Sequence, residues 1–369
     1  MIPWEDPSTE TLLNPRLPPD DLDRVRRLVA RAGPLAGHVW LATSGVSGRL
    51  KPVALAKRAL LASAAAVNVH LRATARDVWL NPLPAFHVGG LGIHARAYLS
   101  GTRVIALDPW APEPYCTAAA AAGATLSALV FTQVFDLVRA GLRAPPALRA
   151  VVVGGGALAP ALYQRARALG WPLLPSYGAT ECGSQAATAE LASLERDAVP
   201  DLRVLPHLAL RAGPDTRIEI RGASLLTGYA TDRGLDDPKR DGWWRTGDLG
   251  LVREGTVTVS GRVGEVVKVL GESVALGPLQ LTLGIVMLDL RFAGDAALYA
   301  LPDERAGWRI GLAYAGADPA AAATLGAAFN ERVAPYERVM DVVEVARIPR
   351  SALGKVMVGE VVALVKRET

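Results

Sequence analysis

Five short segments of this 369-residue chain carry residue types that could do chemistry together. The first, Thr43-Ser44-Gly45-Val46-Ser47-Gly48-Arg49-Leu50-Lys51, places glycines and hydroxyls after an apolar run and ends on a lysine. Backbone N–H groups and hydroxyls of such a loop converge on phosphate oxygens, and the ammonium adds charge. It is not a Walker loop, because the Gly-Lys-Ser/Thr ending is absent. The second is an apolar run ending in Gly154-Gly155-Gly156, which clears side chains from a surface so that a flat ligand can lie on backbone. The third, Ser176-Tyr177-Gly178-Ala179-Thr180-Glu181-Cys182-Gly183-Ser184-Gln185, offers an aromatic plane, a hydroxyl for phosphate and a carboxylate for a metal. The fourth, Trp243-Trp244-Arg245-Thr246-Gly247-Asp248, sets Asp248 after a glycine in an expected turn, where a carboxylate can accept ribose hydroxyls. The fifth, Pro349-Arg350-Ser351-Ala352-Leu353-Gly354-Lys355, puts a lysine on a glycine-containing loop.

Taken singly, each has a plainer reading: a flexible turn, a tight strand–helix junction, a turn cap, a solvent-facing lysine. Only the third mixes groups that packing alone does not require. Composition sharpens the choice. Lys plus Arg total 40 against 36 acidic residues, a net charge of +4 that leaves no strong footprint for nucleic acid. Only six of the 40 cations are lysines (51, 57, 239, 268, 355 and 366), so each invites a question. Cys116 and Cys182 are too few for a disulfide framework or an all-cysteine zinc site. The start of the chain lacks a signal-peptide layout, and the uncharged stretch 114–135 is too rich in Ala, Gly, Thr and Ser for a membrane span. The expectation is a cytoplasmic protein without membrane insertion.

The elements that must position these segments read as follows. A helix is expected at 20–32, a strand at 39–42 and a helical stretch from 52 to about 76. Strands at 78–80, 103–107, 127–131 and 150–153 alternate with helices at 89–99, 133–140 and 160–169, the pattern of a mostly parallel sheet covered by helices. From 188 to 260 short strands at 217–221, 250–252 and 256–259 suggest a small antiparallel unit. Gly261-Arg262-Val263-Gly264 reads as a boundary before a further α+β domain.

The motifs in this order resemble the adenylate-forming superfamily of acyl-CoA ligases, adenylation domains and luciferases. Between them, Asn81-Pro82-Leu83-Pro84-Ala85-Phe86-His87-Val88-Gly89-Gly90-Leu91-Gly92-Ile93, Arg96, Phe131-Thr132-Gln133 and Ser184-Gln185 resemble the o-succinylbenzoate–CoA ligase branch of menaquinone biosynthesis. Outside that context His87 reads equally as a core histidine and Arg96 as a helix-surface charge. The resemblance implies an α/β fold: a large N-terminal AMP-binding domain (1–261) of helix-covered, mostly parallel sheets plus a small β-barrel-like unit, and a smaller mobile α+β domain (262–369). It implies ATP, Mg²⁺ and CoA, an aromatic carboxylic acid as substrate, and leaves a homodimer open.

By the same resemblance Thr43, Ser44, Gly45, Ser47, Gly48 and Lys51 hold the β- and γ-phosphates, Thr180 bonds the α-phosphate and Glu181 binds Mg²⁺. Tyr177 and Gly178 hold adenine against Gly154, Gly155 and Gly156, while Asp248 and Arg262 bond the ribose. Lys355 carries the charge at the reacting centre, and 261–271 is the hinge. His87 lines or gates the acyl pocket; Arg96, Thr132 and Ser184 face the second carboxylate. The chain departs from that pattern at Val46, Leu50 and Pro52 of the phosphate loop, at Gly264, in 271–280 and in a shortened region ahead of the loop. A ligase for another aryl or acyl acid, an enzyme that loads a carrier protein, and a degenerate nucleotide-binding homologue remain as alternatives. A dinucleotide-binding domain does not fit, because the glycine triplet lacks that spacing.

Overall fold

Four buried apolar runs, Val78–Asn81, Leu126–Val130, Ala150–Gly154 and Leu173–Tyr177, line up in parallel, with Arg103–Ala106 on the outer edge. Near-continuous hydrophobicity is what a strand covered on both faces needs. A computed structural model describes residues 2–44, 50–196, 198–351 and 354–368, apart from the Ser44 side chain. The parallel strands all end at one edge, where His87, Thr132, Gly154 and Tyr177 follow or close their strands. In open α/β sheets that carboxyl edge is where ligands bind.

Among the described residues the sheet continues edge-on through antiparallel strands to eleven in all. A second, five-stranded sheet takes Glu10–Leu12, His38–Ser44, Leu50–Ala56, Gly228–Thr231 and Gly234–Asp236. The antiparallel strands expected at 217–221, 250–252 and 256–259 all join the eleven-stranded sheet, while Gly228–Thr231 and Gly234–Asp236 join the other. Their alternating faces find apolar cover in a common core holding Val39, Leu41, Val53, Leu55, Ile218, Ile220 and Val257.

One expected element changes type. The stretch from Pro52 was read as helix, yet Leu50–Ala56 is a strand and the helix begins at Lys57 and ends at His70. Alanine and leucine favour helix locally, but Val53 and Leu55 are fully buried against Val39 and Leu41, and that burial outweighs propensity. The ends of the phosphate motif thus pair as antiparallel strands, with Thr43 opposite Lys51 and Ser44 opposite Leu50. Lys57, 2 % exposed, donates to the Pro3 and Asp6 carbonyls at 2.8 and 2.9 Å and fastens the N-terminal segment to the core.

The chain divides into two compact units: Met1–Gly155 with Gln164–Ser260, and Gly156–Tyr163 with Gly261–Thr369. In the second, the antiparallel strands Asp295–Asp303 and Gly307–Ala315 form a sheet with Val266–Val269, Glu272–Ala275 and Val339–Glu344. Leu276–Asp289 and Pro319–Asn330 pack on one apolar cluster of that sheet, and Val358–Glu368 on another. No helix of the described residues is long and apolar enough to cross a membrane.

Candidate active site

The third motif follows the strand Leu173–Tyr177 and turns at once into a short 3-10 helix, Thr180–Cys182. Gly178 permits the turn: a Cβ there would lie 1.7 Å from the Ser184 carbonyl oxygen, so any other residue is excluded. Ser184 itself holds φ 103°, a strained position for a residue with a side chain. Cys182 is wholly buried, which pushes its thiol up to about 12, and its sulfur bonds the Ala179 backbone; it is a structural cysteine. Beside this strand, Ala150–Gly154 ends with Gly154 against the Ser176 hydroxyl, and Gly155 takes φ 79°.

Tyr177 is nearly buried and its hydroxyl donates to Asp248 Oδ2 at 3.0 Å. Burial, then the charge of Asp248, pushes the phenol pKa up, so the phenol keeps its proton. Asp248 does not sit in a turn, as its sequence context suggested. It lies within the strand Trp244–Arg253, where the two-residue step from Arg217 to Glu219 spans Arg245 to Leu249 on the partner. Such a bulge bends the strand and re-aims a side chain. An aromatic plane and a carboxylate far apart in sequence meet at the end of the parallel strands.

Glu181 forms a second meeting point. Its Oε1 accepts a hydrogen bond from the Tyr229 hydroxyl at 3.0 Å, and the Lys51 ammonium lies 5.8 Å from the centre of the Tyr229 ring. Among the described residues no cluster of three or more His, Cys, Asp or Glu side chains could hold a metal. A carboxylate outside any such cluster suits Mg²⁺, which takes one or two protein carboxylates and fills its shell with phosphate oxygens and water. The donor set therefore fits.

Arg96 gives the third. Read alone it could have been a surface charge, but it is 2 % exposed within the helix Val88–Ser100. Its Nη2 reaches the Ser184 hydroxyl at 3.5 Å, its guanidinium lies 5.5 Å from the Trp79 ring centre, and its Nε is buried without a hydrogen-bond partner. Burial draws its pKa down to about 10, so it stays cationic at neutral pH, and no acidic side chain pairs with it among the described residues. At the start of that helix, burial draws His87 down to about 4 and leaves its Nε2 without a partner. Thr132 is half-buried in the helix Phe131–Arg139 at the next strand end.

Gly45, Ser47 and Gly48, the tip of the phosphate loop, lie outside the described residues, as does the Ser44 side chain. Thr43 and Lys51 stand opposite each other at its base. In the second unit Arg262 ends the strand Thr256–Arg262. Near Lys355, the Ser351 N–H donates to the Lys355 carbonyl at 2.8 Å, and Arg350 donates to Asp295 and to the Gly354 carbonyl. The Lys355 ammonium, half-exposed, pairs with Glu265 at 3.5 Å. Tyr229, Trp79 and Glu265 belong to none of the five motifs. Tyr229 is brought near Lys51 by strand pairing across more than 170 residues of chain and meets Glu181 across 48, which no local spacing reveals.

Residues 26–224 match the AMP-binding enzyme family. The indoleacetate–CoA ligase of Aromatoleum aromaticum is 30% identical over 362 residues, covering 92% of this chain and 69% of its own. A probable 2-succinylbenzoate–CoA ligase of Mycobacterium tuberculosis is 30% identical over 340 residues, covering 88% and 83%. Among solved structures, the o-succinylbenzoate CoA synthetase of Bacillus subtilis in complex with an acyl-adenylate intermediate superposes with a TM-score of 0.75 at 24% identity, over 88% of this chain and 68% of that one. With the family matched over residues 26–224, more than half its length, the chain belongs to the AMP-binding enzymes.

Proposed function

We propose that the chain is an acid–CoA ligase that converts o-succinylbenzoate, ATP and CoA into o-succinylbenzoyl-CoA, AMP and pyrophosphate in menaquinone biosynthesis. The observation that carries the choice of acid is Arg96: a buried guanidinium without a carboxylate partner among the described residues, beside Ser184, at the edge where the acyl chain would lie. A buried cation is costly unless paired, and the second carboxylate of a dicarboxylic acid supplies the missing charge-assisted bonds. Relatives that carry the names of aryl acid–CoA ligases support the same class of reaction.

The first half-reaction joins two anions. A carboxylate oxygen attacks the α-phosphorus, a P–O bond breaks, and pyrophosphate leaves. Rate enhancement then depends on placed cations and donors that hold the reactants in line. Thr43, Lys51 and the loop they flank would hold the β- and γ-phosphates, and Thr180 the α-phosphate. Tyr177 would cover adenine beside Gly154–Gly156, with Asp248 and Arg262 on the ribose hydroxyls. Mg²⁺ held by Glu181 would neutralise phosphate charge. Lys355 would bridge the acid oxygen and the α-phosphate as charge builds between them. His87, neutral at physiological pH, would line the acyl pocket without adding a competing cation. In the second half-reaction the CoA sulfur attacks the acyl carbon and AMP leaves, after the 262–369 domain has turned about the hinge at 261–271. ATP and CoA as co-substrates suit a cytoplasmic setting.

Acid-dependent ATP–pyrophosphate exchange tests the reading. Lys355→Ala is expected to lower exchange on the order of 10²–10³-fold, as loss of a single transition-state charge contact does elsewhere. Its melting temperature should not move, because the ammonium is half-exposed and its one ion pair is at the surface. Near-normal exchange would remove Lys355 from the chemistry. A panel of mono- and dicarboxylic aryl acids, with and without CoA, tests the substrate.

A further inference from the structure

Tyr229 stands outside every motif, yet it touches two groups that the proposed chemistry needs. Its strand, Gly228–Thr231, runs antiparallel to Leu50–Ala56 with Tyr229 opposite Val53, close to Lys51. The Lys51 ammonium lies within cation–π range of the phenol ring, and the phenol hydroxyl donates to Glu181 Oε1. Backbone bonds tie the same three segments: Leu226 N–H to the Glu181 carbonyl at 2.7 Å, and Thr227 N–H to the Ala54 carbonyl at 2.8 Å.

We propose that Tyr229 is a positioning residue: it fixes the Glu181 carboxylate for a divalent cation and holds the Lys51 ammonium beside it for phosphate. This rests on the reading of Glu181 as the metal ligand. The terminal torsion of a glutamate is broad, so a hydroxyl bound to one oxygen narrows the orientations in which the group meets a cation that demands strict geometry. The phenol offers each group a contact suited to its charge, an aromatic face for the cation and a neutral donor for the anion.

Two readouts test it: melting temperature with ATP alone and with ATP plus Mg²⁺, and pyrophosphate exchange titrated with Mg²⁺ at saturating ATP. Tyr229→Phe keeps the ring and removes the hydroxyl. It is expected to retain the shift with ATP alone, to lose the extra shift that Mg²⁺ adds, and to raise half-saturating Mg²⁺ roughly 10- to 100-fold, as loss of an outer partner of a metal ligand does. Tyr229→Leu should in addition weaken the shift with ATP alone. Wild-type Mg²⁺ dependence in Tyr229→Phe would overturn the proposal, and so would loss of the ATP-alone shift in that variant, which marks a general structural prop. If the variant is less stable, the titration run below its transition still decides, since half-saturation does not depend on the amount folded. Glu181→Gln separates the two levels. If it keeps the Mg²⁺ increment, the metal assignment fails; if it loses the increment and Tyr229→Phe does not, only the positioning role fails.

Discussion

Two arginines in the first unit are held in opposite ways. Arg149 grips Asp77 with two bonds of 2.8 and 2.9 Å and also donates to the Leu71 and Arg72 carbonyls. Asp77 accepts from the Thr74 N–H and the Thr125 hydroxyl besides. Burial alone would raise that carboxyl, but the bonds from Arg149, Thr74 and Thr125 bring it down to about 2. Every charge in this clamp has its partner within the protein. Arg96 is more deeply buried and has a serine hydroxyl, a tryptophan face and an unmatched Nε. A satisfied charge serves the fold; a buried charge left short of partners points to something the fold does not contain.

Substitution sharpens that contrast. Arg149→Met strands the Asp77 carboxylate and is expected to cost about 2 kcal/mol in denaturant unfolding, less than for a fully buried pair because the Arg149 side chain is a third exposed. Activity per folded molecule should be unchanged. Arg96→Met should do the reverse: stability equal or higher, because an apolar chain replaces an unpaired cation. Its kcat/KM for a dicarboxylic aryl acid should fall about 30-fold or more, the lower range for truncating a buried charged contact, while a monocarboxylic acid is unaffected. Equal losses for both acids would break the comparison.

A further contrast concerns acid. His87 and His207 are both drawn down to about 4 by burial, against an ordinary value of 6.5. Between those limits the unfolded chain binds more protons, so stability falls as pH drops from 6.5 to 4. Asp77 contributes nothing to that window: its stabilisation is complete above 3.8 and is lost only as pH falls towards 2. Melting temperature in the His87→Gln, His207→Gln double variant should therefore decline less between pH 6.5 and 4 than in the wild type, with matching behaviour below.

Contiguous chemistry was the most legible part of the chain. Tyr177, Thr180 and Glu181 fall within five residues, and the strands Leu126–Val130 and Ala150–Gly154 announce themselves by unbroken hydrophobicity. Asp248 was recognisable as a candidate but misplaced in a turn, because its bulge exists only against the partner strand Arg217–Gly222. The strand at Leu50–Ala56 was hidden by alanine and leucine, whose helical bias yields to burial from other parts of the chain. Scarcity flagged Lys51 and Lys355 but equally Lys57 and Lys239, which bond backbone carbonyls and hold the fold. Rarity locates a lysine with a task and does not say which task.

The single carboxyl edge of the parallel strands has a consequence for how such an enzyme can diversify. His87 and Thr132 open separate crossovers and Tyr177 closes a third strand, each anchored by its own buried strand. In the reaction proposed above, replacing one of these segments would alter one side of the acyl site while its neighbours keep their footing, so new acids could be accommodated piecemeal beside an inherited nucleotide site.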